Sequence, residues 1–239
     1  MIKINRLSFA YGAKPILRDL SLSIEDNHYF ALAGLNGSGK TTLIKLMLDL
    51  LRTPAAEDVQ LNGSSSWDIA SRKNIIYLPE KFVLGADISA SDYFKLLAGV
   101  YRQPLDIDRV DELSLRLGFP ADLLNKKSFH YSKGMLQKVG LIGCLMLDVP
   151  ILLLDEPMSG LDPKARHQIK TLLLEEKQRS GRTLLYSTHM LADVEELCDS
   201  FGVLHNGELR FVGTPQQCMS VYAASTLELA YLNCINETA

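Results

Sequence analysis

Apolar residues along this chain come in several rhythms. "VPILLLDEP" is apolar at nearly every position before its acids, the pattern of a strand buried on both faces of a parallel sheet. Tyr29 to Ala33, "NIIYLPE" up to Pro79, "TLLYSTH" and "GVLHNGELRFVG" read as further strands, and the N-terminal "MIKINRLSFAYG" alternates polar and apolar residues as a strand does. Leu43, Ile44, Leu46, Met47, Leu50 and Leu51 recur at helical spacing. Pro163 to Gln178 and Ala192 to Cys198 read as helices, and helical patterns punctuated by Pro104 and Pro120 dominate Lys81 to Leu147.

Strands that alternate with helices predict an α/β core, interrupted by a mostly helical insertion across residues 81–147. "SSSWD", Ser64 to Asp68, reads as a short polar loop, and the tail from Pro215 as a small helix. There is no internal repeat and no low-complexity segment.

Composition narrows the function classes. A chain of 239 residues, 47% of them hydrophobic, can bury a large core. Its net charge of -3 and the lack of any basic run give no general attraction to nucleic acid. Cys144, Cys198, Cys218 and Cys234 form no CxxC pair, so they read as reduced thiols, which suits a cytosolic setting. The N-terminus lacks the apolar core of a signal peptide. Val139 to Leu154, broken by Asp148 and Pro150, is shorter than the roughly 20 residues of a spanning helix. The chain is therefore not expected to cross a membrane by itself.

The chemistry begins at "GLNGSGKTT". Gly34, Gly39, Lys40 and Thr41 fit GxxxxGK[ST] between a predicted strand and a predicted helix, the context a phosphate cradle needs. Its glycines let backbone N–H groups wrap a phosphate at the positive end of the helix. Asn36, Gly37, Ser38 and Thr42 complete the cradle. Lys40, expected as an exposed residue that packs no core, reaches the β- and γ-phosphates, and Thr41 binds Mg²⁺.

Asp155 closes the strand "ILLLD" at the carboxyl edge of the sheet, where it can hold Mg²⁺ through water. Glu156 beside it can orient or deprotonate an attacking water. His189 ends another strand, and at the same edge it can reach the γ-phosphate.

In "HYSKGMLQK", Gly134 occupies the first turn of a predicted helix, where glycine costs about 1 kcal/mol relative to alanine. Helix stability alone does not account for it.

These motifs in this order resemble the nucleotide-binding subunit of an ATP-binding cassette (ABC) transporter. The matching residues are Tyr11 in "FAYG", the glycine loop, "YLPE", "YSKGM", "ILLLDE", "SGLD" (Ser159 to Asp162) and "STH", spread over about residues 1–215. The resemblance implies a P-loop NTPase (RecA-like) core with a parallel sheet, N-terminal antiparallel strands and an inserted helical subdomain. The core falls at 1–80 and 148–215, the insertion at 81–147, and a short helical tail at 216–239.

It further implies an ATPase that dimerises head to tail around two ATP with Mg²⁺, with a second copy of itself or a homologous subunit as partner. A separate transmembrane permease is the other partner, at the cytoplasmic face of the membrane. Tyr11 stacks on adenine in this reading; a Tyr after an alternating strand is equally an edge residue. Ser132 and Gly134 fall on the family's signature and meet the γ-phosphate of ATP held by the other subunit.

Lys133, Tyr131 and Met135 depart from the signature, and Glu80 stands where the family has a glutamine that approaches Mg²⁺. "YLPE", "YSKGM" and the short C-terminus are similar to ATPases of ABC-2-type exporters, which favours export. A non-transport ABC-type ATPase and a non-hydrolysing regulatory subunit are the alternatives; Glu156 and His189, both present, weigh against the second.

Overall fold

In the computed structural model, which describes residues 1–52 and 54–236, β1 (Ile2–Tyr11) and β2 (Lys14–Ile24) pair antiparallel. Beyond β3 (Tyr29–Ala33) and α1 (Lys40–Met47), β4 (Val59–Leu61) pairs with β1, and β5 (Ser64–Ser65) extends this sheet to four strands. The stretch read as a polar loop thus begins with strand residues, because Gln60 and Leu61 pair with Ser65 and Ser64, and Ser66 is buried.

The second sheet has six strands in the order β10-β9-β3-β8-β7-β6. Its parallel part comprises β3, β6 (Ile75–Leu78), β7 (Ile151–Asp155), β8 (Thr183–Thr188) and β9 (Ser200–His205). Each residue of β3, β7 and β8 is buried, as a strand covered on both faces requires. The twofold alternation sorts them into two cores. Phe30, Leu32, Leu153 and Leu185 face α1 and the antiparallel sheet, whereas Ala31, Leu152, Leu154, Leu184 and Tyr186 face the remaining helices.

"GVLHNGELRFVG" is a hairpin and not one strand. Asn206 (φ 50°) and Gly207 (φ 83°) turn the chain from β9 into the antiparallel edge strand β10 (Glu208–Gly213). The Asn-Gly pair is a strong two-residue hairpin signal. A Cβ at Gly207 would stand 2.3 Å from the Ile16 carbonyl oxygen, so close approach of β2 also demands glycine there.

Between β6 and β7 the chain forms α3 (Ala90–Tyr101), α4 (Ile107–Arg116) and α5 (Lys133–Met146), after α2 (Ile69–Arg72). Ser89 and Asp92 form a capping box on α3, Asp106 caps α4, and Ser132 caps α5 by accepting from the Met135 N–H. Residues 81–89 of the predicted insertion carry no helix.

Further helices are α6 (Pro163–Ser180), ended by Gly181 at φ 60°, and α7 (Leu191–Leu197). The tail holds two helices where one was expected, α8 (Pro215–Val221) and α9 (Leu227–Asn236); its residues 237–239 lie outside the described residues. No helix among the described residues is long and apolar enough to cross a membrane.

Candidate nucleotide site

The loop between β3 and α1 is shaped by its glycines. Gly39 precedes α1 at φ 114° and brings no side chain to cap the first helical N–H groups, which stay available to an anion. A Cβ on Gly34 would stand 2.5 Å from the Leu204 carbonyl oxygen and 2.7 Å from Ser38 Oγ. Ser38 Oγ is itself buried without a hydrogen-bond partner among the described residues.

Lys40 is 6% exposed, which corrects the expectation of an exposed lysine. Its Nζ donates to the Gly34 carbonyl at 2.7 Å and lies 3.4 Å from Glu156 Oε1. That burial follows from the fold, since the strand end carrying Glu156 faces the loop.

At the carboxyl edge of β7, Thr41 Oγ1 donates to Asp155 Oδ2 at 2.7 Å, and the Ser187 hydroxyl donates to Asp155 Oδ1. Ser187 Oγ also accepts from the Glu156 N–H at 2.9 Å. One hydroxyl on β8 therefore orients both acids. Glu156 sits at φ 48°, a left-handed backbone that costs a non-glycine residue on the order of 1 kcal/mol, and its Oε2 lies 2.9 Å from His189 Nδ1. Its Oε1 is buried and without a hydrogen bond, though close to the Lys40 ammonium.

A groove of about 530 Å³ is lined by Tyr11, Asn36, Gly37, Gly39, Lys40, Thr41, Thr42, Glu80 and Glu156. It brings together the predicted stacking ring, the loop and two acids from four separate parts of the chain. Tyr11 is 47% exposed at the groove, and its ring meets that of Phe9 in a T-shaped pair at 5.1 Å.

Gly34, Ser38 and Asp155 do not line the groove but stand next to residues that do. The oxygen donors at Thr41 and Asp155 suit a magnesium ion, which takes one or two protein ligands and completes its shell with phosphates and water. No group of three or more His, Cys, Asp or Glu able to hold a metal occurs among the described residues.

Ser132 and Gly134 lie apart from this groove. They stand at the start of α5, where a Cβ on Gly134 would find Leu161 Cδ2 at an ordinary 3.5 Å and the Lys133 ammonium approaches Gly160. Gln137 Nε2 donates to the Pro157 carbonyl at 3.3 Å. Nothing among the described residues requires glycine at 134, since its φ is not left-handed and an added Cβ would meet only an ordinary contact.

Three residues escaped the sequence reading of roles. Ser187 was visible only as the middle of "YSTH". Tyr131 is buried; its hydroxyl accepts from the Ala90 N–H and donates to the Leu123 carbonyl at 2.8 Å, anchoring the chain just before α5 to the start of α3. Tyr77 has its phenol held well above the usual pKa by burial and by the neighbouring Asp155 carboxylate, so it stays neutral beside the acids.

The sequence pattern of the ABC transporter family matches residues 17–159. The ABC-type transporter ATP-binding protein EcsA of Bacillus subtilis is 32% identical over 254 residues, covering 100% of this chain and 98% of that protein. An ABC transporter ATP-binding protein of Nostoc sp. is 36% identical over 87% of this chain, which spans 62% of that relative; a Synechocystis relative is spanned to 60%. A solved ATP-binding subunit of an ABC transporter superposes with a TM-score of 0.88 at 31% identity, over 98% of this chain and 99% of that one.

The dimeric cassette MJ0796 shares the fold, with a TM-score of 0.80. These likenesses, with the nucleotide loop and the mixed sheet, define an α/β P-loop NTPase of the cassette type. The chain belongs to the ABC transporter family.

Proposed function

We propose that this chain binds and hydrolyses ATP in the groove between Tyr11 and Glu156, and that two copies, or one copy and a homologous subunit, close around two ATP molecules to drive a separate transmembrane permease. The observation that carries the reading is the convergence of Lys40 and His189 on the Glu156 carboxylate.

In this reading Tyr11 stacks on the adenine, and the loop N–H groups and Lys40 hold the β- and γ-phosphates. Lys40 exchanges its present partners, the Gly34 carbonyl and Glu156, for phosphate oxygens. Thr41 and Asp155, with Glu80 as a further acid lining the groove, would hold a Mg²⁺ that would supply neutralisation of phosphate charge. Glu156 accepts a proton from the attacking water, and His189 orients Glu156 and reaches the γ-phosphate. Ser132 and Gly134 complete the site of the other subunit, with the free N–H groups of α5 turned to its γ-phosphate. That nothing among the described residues demands glycine at 134 supports that role.

The chain docks at the cytoplasmic face of the membrane through the segment after Pro79. There Val83 is 81% exposed, whereas Phe82 packs under α5 against Tyr93. Export is the favoured direction, supported by the "YLPE" and "YSKGM" variants. A relative at 32% identity over 90% of this chain is named an energy-coupling factor transporter ATP-binding protein, of Streptococcus agalactiae, and keeps the opposite direction as the second reading.

The test is ATP turnover of wild type and Glu156→Gln, assayed with the partner that co-purifies. The variant should bind Mg-ATP and turn it over at least ~10²-fold more slowly. Turnover like wild type would remove Glu156 from the mechanism, and a purely soluble set of co-purifying proteins would remove the permease.

A further inference from the structure

His189 holds its place with little help of its own. Its side chain is 43% exposed, and its one hydrogen-bond partner among the described residues is Glu156. The position of the ring therefore depends on the backbone around it. Met190 N–H is bound to Thr188 Oγ1 at 3.0 Å, and Asp193 N–H is bound to the Met190 carbonyl at 3.2 Å in the first turn of α7.

Asp193 is 2% exposed and faces α6. Arg166 Nη2 donates to both of its carboxylate oxygens, at 3.1 and 2.9 Å, and Lys170 Nζ stands 3.5 Å from Oδ1 while also binding Glu196 at 2.6 Å. Arg166 lies one turn beyond Asp162, which caps α6 by accepting from Ala165 N–H at 2.9 Å and receives the Arg166 N–H on its carbonyl at 3.0 Å. Asp162 ends the Ser159–Asp162 loop. A cavity of about 50 Å³ is lined by Ser159, Gly160, Arg166, His189, Asp193 and Glu156, so loop, ion pair and histidine enclose one small space.

Packing alone gives no reason for charge here, since a buried carboxylate is costly unless paired and hydrogen-bonded, and an apolar pair could fill the same volume. We infer that Asp193 and Arg166 are positioning residues for the hydrolysis proposed above: their ion pair fixes the first turn of α7, and with it His189 against Glu156, to the helix that begins at the Ser159–Asp162 loop. Movement of that loop is then felt at His189 through one rigid linkage. This rests on the catalytic reading of Glu156 and His189.

The test compares Asp193→Asn, Arg166→Gln, Arg166→Lys and the Asp193→Asn/Arg166→Gln double variant of the full chain, with its co-purifying partner, alongside Glu156→Gln. Misplacement of a catalytic group on the ångström scale costs up to about 10²-fold. Asp193→Asn and Arg166→Gln should each lower kcat by ~10-fold or more while KM and the binding of a fluorescent ATP analogue stay within about twofold. Arg166→Lys should recover part of the loss, and the double variant should be little worse than either single one. Wild-type kcat in Asp193→Asn, losses that multiply in the double variant, or a loss that appears in ATP binding as much as in kcat would overturn the inference. If Glu156→Gln hydrolyses normally, the catalytic reading itself fails. If it is inactive while Asp193→Asn is normal, only the positioning role falls.

Discussion

Thr41 Oγ1 and Asp155 Oδ2 meet at 2.7 Å although they are 114 residues apart, and this one bond joins the phosphate loop to the acidic end of the central strand. Thr41→Val keeps the shape and deletes the donor, leaving a buried carboxylate oxygen short of one bond. The nucleotide-free chain should lose about 1–3 kcal/mol of stability in denaturant unfolding. The gain in ATP affinity on adding Mg²⁺ should shrink as well. An unchanged magnesium dependence would separate Thr41 from the metal.

Lys40→Ala should abolish most turnover, by at least ~10²-fold, the loss seen when one preorganised donor to developing charge is removed. Because Lys40 is buried against Glu156, the substitution also strips the Glu156 Oε1 of its nearby cation. The thermal midpoint without nucleotide should fall, measured by calorimetry. Near-normal hydrolysis would contradict the assignment of the loop.

Asp199 provides a pH test away from the site. Burial works against its charge, but the hydrogen bond from Lys177 at 2.6 Å, the Tyr29 N–H at 2.8 Å and the Lys177 charge outweigh it, so its pKa lies below the ordinary value. A carboxyl with a depressed folded-state pKa contributes stability that is complete above its unfolded value, about pH 4, and is lost as the pH falls through the folded value. Asp199→Asn should be less stable than wild type at pH 7, and the difference should narrow towards pH 2. A difference that is constant with pH would mean that the charge is not what matters.

Much of this architecture is legible in the residues. The unbroken run before Asp155 marks a doubly covered strand, and Ser132 marks the start of α5, where it caps as its type predicts. What periodicity cannot supply is which distant groups face one another. Lys40 reads as exposed because nothing local shows that Glu156 stands over it, and Ser187 reads as incidental because its two partners lie at and just beyond the end of the adjacent strand β7. The hairpin at Asn206-Gly207 was legible but overridden by the apolar positions on either side, which continue the twofold pattern across the turn. Tyr131 reads as a deviant signature residue until its hydroxyl is seen to anchor the insertion.

The segment after Pro79 divides into a packed and an open half. Phe82 is wedged against Gly140, where a Cβ would come within 2.9 Å of its ring, while Val83 points outward. Val83→Asp should leave nucleotide binding intact and reduce co-purification of the membrane partner. Undiminished co-purification would place the contact elsewhere.

The central claim, that each ATP is enclosed by the glycine loop of one chain and the Ser132–Gly134 stretch of another, is tested most directly by mixing protomers. One carries Lys40→Ala and the other Gly134→Asp, which sets a carboxylate where the γ-phosphate is received. Either homodimer has a damaged half in both sites and should trap no ATP. In the mixed dimer, the intact loop of one protomer meets the intact stretch of its partner, so one site is whole. Trapped radiolabelled ATP should reach about half of the two-site wild-type level per dimer, given the composite sites proposed here and the free helix end as phosphate ligand. A mixture that traps no more than the separate variants would contradict the account and return Ser132 and Gly134 to a role within their own chain.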